Sequence, residues 1–175
     1  MDVVTSLQNN VAFILPHLSS NDVSSLVYDW LDSYSSHAGE KFNESVTGPS
    51  PFQYMLSTSL SSIDANMKLN LTDFQTLALI SSWGTLVPWP GTAQVIDTLS
   101  AANIFVAPLS NGDTNTLTTA MSIFKPAAEM KFVFSSDFPV GSFKPDAAMY
   151  AQVPSVSSLT PLEILHIAGA PGAFH

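Results

Sequence analysis

The chain has 175 residues, which is the length of one domain with a core of its own, and only 11% of them are charged. Its formal net charge is −9 and its five basic residues are all lysines, which argues against binding to nucleic acid or to an anionic membrane surface. The absence of cysteine excludes disulfides, thiolate metal sites and cysteine nucleophiles.

The sequence contains no apolar run approaching the ~20 residues of a membrane span. The short apolar stretch Val11–Leu15 has no basic flank before it, so it makes a poor signal peptide. We therefore expect a cytoplasmic protein that does not contact membranes.

The first half of the chain has the apolar spacing of helices. Thr72 and Gln75 form a capping box that opens one of these helices. Asn21 or Ser20 is a suitable N-cap for another. The sequence predicts helices over Val3–Leu15, Asn21–Ser36, Ser50–Ser61 and from Thr72 toward Trp83.

The second half alternates between short apolar runs and helical spacing. A proline-containing loop is expected over residues 84–91, and helices are expected over Thr92–Ala102, Thr114–Phe124 and Ala147–Val153. Strands are predicted over Asn103–Leu109, Lys131–Ser135 and Ile164–Ala168. Such alternation predicts an α/β fold with a parallel sheet and right-handed crossovers.

The four histidines are scattered, and no pair has the spacing of metal ligands, so we expect no metal site. His166 lies in an apparent buried strand, which predicts a core histidine.

Several short segments, taken together, resemble a known family. They are Tyr28-Asp29-Trp30-Leu31, Ser110-Asn111-Gly112 after a strand, Ser135-Ser136-Asp137, Phe143-Lys144-Pro145-Asp146 and Ile164–Gly169. This set resembles the haloacid dehalogenase superfamily, and within it the type II 2-haloacid dehalogenases. The resemblance implies a helical cap over residues 2–83 and a core over residues 84–175. That core would be a reduced Rossmann-like parallel sheet with helices on both faces.

The resemblance also implies a chemistry. In that family an Asp at the end of the first strand, in an Asp-x-Tyr-Gly-Thr motif, attacks the substrate and forms an ester that water opens. A Ser-Asn pair binds the substrate and a Lys holds the charge of the Asp. The matching residues here are Ser110, Asn111 and Lys144 as catalytic groups, with Tyr150 lining the site.

The sequence departs from the family at three points. It begins at Met1-Asp2-Val3, which aligns just after the nucleophile motif. The segment 169–175, at the place of the last motif, has neither Asn nor Asp, and an Arg equivalent to that of the cap is absent. We therefore expect a protein that is not a standard aspartyl-nucleophile hydrolase.

These features leave three functions open, with an enzyme favoured. The first is a non-hydrolytic enzyme, without a cofactor, that isomerises or cyclises an apolar small molecule in a cavity between cap and core, as in natural-product biosynthesis. Cycloaddition belongs to the same class, since proximity alone accelerates such reactions. Tyr150, Trp30, Asp29 and Trp83 would bind the substrate. The alternatives are a dehalogenase-like hydrolase whose nucleophile is missing from this chain, and a non-catalytic binding protein.

The candidate residues also have structural explanations. Ser110 and Asn111 could simply cap a turn, and Lys144 could hydrogen-bond to backbone carbonyls. Trp30 shares an apolar stripe with core positions. Because a sheet without its first strand has a bare edge, we also expect a homodimer.

Overall fold

The structure is a computed structural model that describes residues 3–44, 50–124 and 132–167. Its α-helices, labelled in chain order, are α1 (Val3–Ile14), α2 (Ser20–Ser36), α3 (Pro51–Met67), α4 (Asp73–Ser81), α5 (Thr92–Ala101), α6 (Thr114–Met121) and α7 (Ala147–Ser157). Short 3₁₀ turns cover Ser82–Gly84, Ser122–Phe124 and Pro161–Glu163. Every helix among these residues is too short or too polar to cross a bilayer.

The first four helices pack together around the main core. Helix α1 contacts α2 and α4, and α3 contacts α2 and α4. Their apolar faces meet, and Phe143 from the second half joins them. The buried cluster consists of Leu7, Val11, Leu15, Val23, Leu26, Val27, Trp30, Phe52, Met55, Leu56, Leu60, Ile63, Leu79, Trp83 and Phe143.

Side-chain caps fix where several helices begin. Ser19 rather than Ser20 or Asn21 caps α2, accepting a hydrogen bond from the Asp22 amide. The predicted capping box of Thr72 and Gln75 is present at α4. Ser50 caps α3, which continues to Met67, six residues past the predicted end.

Helix α7 also runs beyond its predicted end. The predicted end is Val153, just before Pro154, a residue that cannot donate a backbone hydrogen bond. The helix instead passes through Pro154 to Ser157. The lost bond does not break the helix, and Ser157 Oγ still donates to the Val153 carbonyl at 2.7 Å.

The predicted sheet of three parallel strands is not confirmed. Among the described residues, β pairing consists of two isolated bridges, a parallel one between Leu109 and Phe134 and an antiparallel one between Lys41 and Ser142. A β-ladder needs two extended segments that lie side by side over several residues. Among the described residues, the segment 164–167 pairs with neither of the other two predicted strands. Lys131 and Ala168, at the ends of two predicted strands, lie outside the described residues.

The segment after α5 is also not the buried strand that the sequence predicted. Ile104 is 52% exposed and Phe105 is 43% exposed. His166 is only partly buried rather than a core residue, and its ring contacts Tyr150 edge-on at 5.4 Å. A continuous apolar run predicts burial on both faces. Here Ile104, Phe105 and Leu165 are instead partly or largely exposed.

Candidate active site

The first part of the candidate site is the turn that carries Ser110 and Asn111. The parallel bridge fixes its start, because the Phe134 amide donates to the Pro108 carbonyl and the Ser110 amide donates to the Phe134 carbonyl, both at 3.0 Å. Ser110 Oγ accepts from the Gly112 amide at 3.2 Å and so closes the turn. Ser110 therefore stabilises the turn, which is the structural role expected beside an Asn-Gly pair.

Asn111 joins this turn to the loop that carries Lys144. Its side chain is buried, and its Oδ1 accepts from the Lys144 backbone amide at 2.8 Å. Its own carbonyl accepts from Ser136 Oγ at 2.7 Å. Three of the five sequence segments that carried the family resemblance therefore converge here.

Lys144 has no acidic partner among the described residues. Its Nζ donates to the Leu109 carbonyl at 3.0 Å, while the lysine that does form an ion pair with a nearby acid is Lys41, at 3.2 Å from Asp146. Burial lowers the pKa of Lys144, because the charged form loses solvation that no carboxylate replaces. The site thus presents a partly desolvated ammonium suited to an anion.

The Lys144 loop is tied to the end of α2 by backbone hydrogen bonds. Gly39 donates to the Lys144 carbonyl at 3.0 Å, Phe42 donates to the Gly141 carbonyl at 2.7 Å, and Phe143 donates to the Glu40 carbonyl at 2.9 Å. The first half of the chain therefore holds this loop in place.

Tyr34 is a member of the site that sequence reasoning missed. It hydrogen-bonds Asn111 through its side chain, yet burial still raises its pKa to about 12. Its ring packs against Trp83 at 5.4 Å and Phe143 at 6.1 Å. The available signal was its place four residues after Trp30, which puts both rings on the same apolar face of α2.

Of the four predicted substrate-binding residues, Trp30 and Trp83 lie together, whereas Asp29 and Tyr150 lie apart from them. Trp30 is fully buried in the helical core and its Nε1 donates to the Leu56 carbonyl at 3.3 Å. Asp29 is exposed on α2. Trp83 is buried against Trp30, with ring centroids 5.4 Å apart, and its Nε1 has no described partner.

Tyr150, the fourth of these residues, lies elsewhere and lines an apolar groove of about 790 Å³. The groove lies within the second half rather than between the predicted cap and core. Its walls are Asn103–Phe105, Ala107, Leu109 and Phe134, residues of α7, and residues 159–166 excepting Thr160 and Leu162.

The described residues contain no group of three or more His, Asp or Glu that could hold a metal ion. The predicted cap over 2–83, the predicted core over 84–175 and the homodimer stay predictions.

The sequence matches no protein-family model and no curated protein, whereas the structure matches several solved structures. A defluorinating L-2-haloacid dehalogenase superposes with a TM-score of 0.74 at 20% identity, over 93% of this chain and 66% of that one. The L-2-haloacid dehalogenase from Xanthobacter autotrophicus gives 0.72 at 20% identity, over 91% and 62%. The structure of that enzyme with chloropropionic acid covalently bound gives 0.73 at 21% identity, over the same shares.

The chain therefore spans just under two thirds of the length of these enzymes. Identities near 20% support a statement about architecture. On that evidence, the chain has the haloacid dehalogenase-like fold of the L-2-haloacid dehalogenases.

Proposed function

We propose that this chain carries the substrate-binding and charge-holding part of a 2-haloacid dehalogenase-like hydrolytic site. The observation that carries the proposal is the partly buried Lys144 ammonium beside the Ser110-Asn111 turn, without a carboxylate partner among the described residues. Nearly the whole chain shares its fold with enzymes that act on L-2-haloacids.

The reaction would follow the ester chemistry of the family. A carboxylate oxygen attacks C2 of the haloacid, the carbon–halogen bond breaks and halide leaves. Water then opens the ester, which yields a 2-hydroxy acid and a proton and restores the carboxylate. One of the neighbours holds chloropropionic acid covalently, as such an intermediate requires.

This chain would contribute three groups. The Lys144 ammonium would stabilise the negative charge of the attacking carboxylate and of the haloacid. The Asn111 and Ser110 turn would position the substrate carboxylate. Tyr34 would keep the Asn111 side chain oriented through their hydrogen bond. Because no described carboxylate contacts Lys144, the attacking carboxylate would be supplied by a group other than the described residues around it.

The non-hydrolytic function expected from the sequence has weaker support. None of the contacts around Lys144 favours isomerisation, cyclisation or cycloaddition, and the structural neighbours are dehalogenases. Hydrolysis is therefore the function that we propose.

A formate-rescue assay tests the proposal directly. A small external carboxylate can replace a missing one, and formate attack on L-2-chloropropionate would release chloride and form a formyl ester. We expect chloride release, measured by ion chromatography, to need both the protein and formate. Lys144→Met should abolish it, while Lys68→Met, which changes an exposed lysine at the end of α3, should preserve it.

Two outcomes would contradict the proposal. One is chloride release no faster than in formate alone, together with no binding of L-2-chloropropionate by calorimetry. The other is equal release by the Lys144→Met and Lys68→Met variants.

A further inference from the structure

Lys144 differs from the other described lysines in its surroundings. Lys41 is exposed and forms an ion pair with Asp146 at 3.2 Å, and Lys68 is exposed at the end of α3. Lys144 is partly buried, and its Nζ donates to the Leu109 carbonyl at 3.0 Å. Among the described residues, no carboxylate lies within ion-pair distance of this nitrogen. Its surroundings therefore do not hold it in the charged form as an acid would.

The partner of the Lys144 side chain permits a neutral amine. A carboxylate stabilises an ammonium ion through its charge, whereas a backbone carbonyl accepts a hydrogen bond from an ammonium or from an amine. Burial also lowers the pKa of Lys144, because the charged form loses part of its hydration. A lysine that is desolvated in this way is a nucleophile toward carbonyl carbon atoms.

The contacts of Lys144 also fix where the amine lies. Asn111 Oδ1 accepts from its backbone amide at 2.8 Å, and its carbonyl accepts from the Gly39 amide at 3.0 Å. At the other end of the side chain, one N–H points to the Leu109 carbonyl, so the lone pair of the tetrahedral nitrogen points away from that carbonyl. The nucleophile is therefore held beside the Ser110-Asn111 turn.

The neighbouring turn indicates the class of carbonyl compound. In the proposed function, Ser110 and Asn111 position a carboxylate, and the reacting carbon C2 is bonded directly to that carboxylate. A 2-oxo acid has its electrophilic carbonyl carbon at the same position. A simple aldehyde or ketone lacks the anionic group that would hold it at the turn.

We propose that Lys144 is a nucleophile that forms an imine with C2 of a small 2-oxo acid. This inference rests on the proposed function in one respect, the placement of a carboxylate at the Ser110-Asn111 turn. The two reactions use two protonation states of one side chain. The ammonium stabilises negative charge, and the amine attacks a carbonyl carbon.

Imine formation needs no oxidant or reductant. The ammonium releases a proton to solvent, and the amine lone pair forms a C–N bond to C2 while the electron pair of the C=O bond moves to oxygen. A proton then moves from nitrogen to that oxygen and gives a carbinolamine. The released proton returns to the hydroxyl group, which leaves as water, and the nitrogen lone pair forms the C=N bond of a protonated imine.

Reductive trapping on the wild-type chain tests the proposal. The probe is pyruvate with sodium cyanoborohydride, which reduces the imine to a stable secondary amine. Chymotrypsin digestion and peptide mass spectrometry then locate the adduct. We expect labelling of Lys144 to be several-fold faster than labelling of the exposed Lys41 and Lys68.

Methyl pyruvate tests the role of the carboxylate. It has the same C2 carbonyl group, but its carboxyl group is an uncharged ester. The ratio of pyruvate to methyl pyruvate labelling should be several-fold higher at Lys144 than at Lys68. Because Lys68 is exposed, it is the internal reference for the intrinsic reactivity of the two compounds.

Two variants of the protein provide matched controls. Lys144→Arg retains a positive charge and removes the nucleophile, because a guanidinium group stays protonated. This variant should lose the main adduct and keep the slow labelling of Lys68. Lys68→Met should label Lys144 as the wild type does.

Three results would overturn this inference. They are the absence of an adduct at Lys144, equal labelling of Lys144 and the exposed lysines, and the same pyruvate-to-ester ratio at Lys144 and Lys68.

The trapping and formate assays fail separately. Carboxylate-dependent trapping at Lys144 without formate-dependent chloride release would retain the imine inference and remove the hydrolytic function. Formate-dependent chloride release without trapping would retain the hydrolytic function and remove the imine inference.

Discussion

Tyr34 gives the site a predictable response to alkaline pH. Its pKa is raised to about 12, above the ordinary value of 10.0, because burial disfavours the phenolate. Between these values the unfolded chain releases this proton first, so the free energy of unfolding decreases as the pH rises. Tyr34→Phe should remove about 2 kcal/mol of that alkaline loss, measured by urea unfolding at neutral and strongly alkaline pH.

Tyr28→Phe is the control for this prediction, since Tyr28 is on the same helix and 57% exposed. If both variants lose stability with pH as the wild type does, Tyr34 does not titrate as the buried group described above.

Trp83 should matter through packing. Its ring contacts Trp30 at 5.4 Å and Phe52 at 5.8 Å, so it joins α2 and α3 at the centre of the helical core. Trp83→Ala should lower the free energy of unfolding by about 3–5 kcal/mol, while Trp89→Ala, at a side chain that is 58% exposed, should change it little. Denaturant unfolding followed by far-ultraviolet circular dichroism measures both, and similar losses would contradict this account.

At the scale of residues, the sequence identified side chains better than main-chain groups. Lys144 and Asn111 stand out through their motifs, and they do lie together. The Leu109 carbonyl that binds the Lys144 ammonium leaves no mark in a sequence, because every residue has a carbonyl. Tyr34 was hidden because a tyrosine on an apolar stripe serves a core and a site equally well.

Among the elements, α3 and α6 are linked through their caps. Ser50 caps α3 by accepting from the Gln53 amide at 3.0 Å, and its hydroxyl donates to Asp113, the cap of α6, at 3.3 Å. Ser50→Ala should therefore cost about 1–2 kcal/mol of stability, since it removes a cap and leaves a buried carboxylate oxygen without that donor. Ser61→Ala, at an exposed position of α3, is the matched control in urea unfolding. Equal costs would show that the link contributes nothing.

Helices were predictable as elements and the sheet was not. A helix satisfies its own backbone and signals its start through a local cap, as at Thr72. A strand needs a neighbour, and no local pattern shows whether that neighbour is in place. The segments 104–109 and 164–167 have strand-like sequences, yet the structure places a groove beside them.

For the whole molecule, this arrangement predicts uneven stability. The helical core holds most of the fully buried large side chains, whereas Ile104, Leu165 and Ile167 are exposed. We expect amides of 104–107 and 165–167 to exchange hydrogen far faster than those of α1 to α3, as measured by mass spectrometry. Uniform exchange across both regions would contradict this prediction.

The backbone bonds between residues 39–42 and 141–144 have a mechanical consequence. They make the end of α2 and the Lys144 loop move together, because a shift of either segment by about an ångström would break several hydrogen bonds at once. An anion that displaced the Lys144 loop would therefore also displace the end of α2. A change in the rate of trypsin cleavage after Lys41 when the anion is added would measure that displacement.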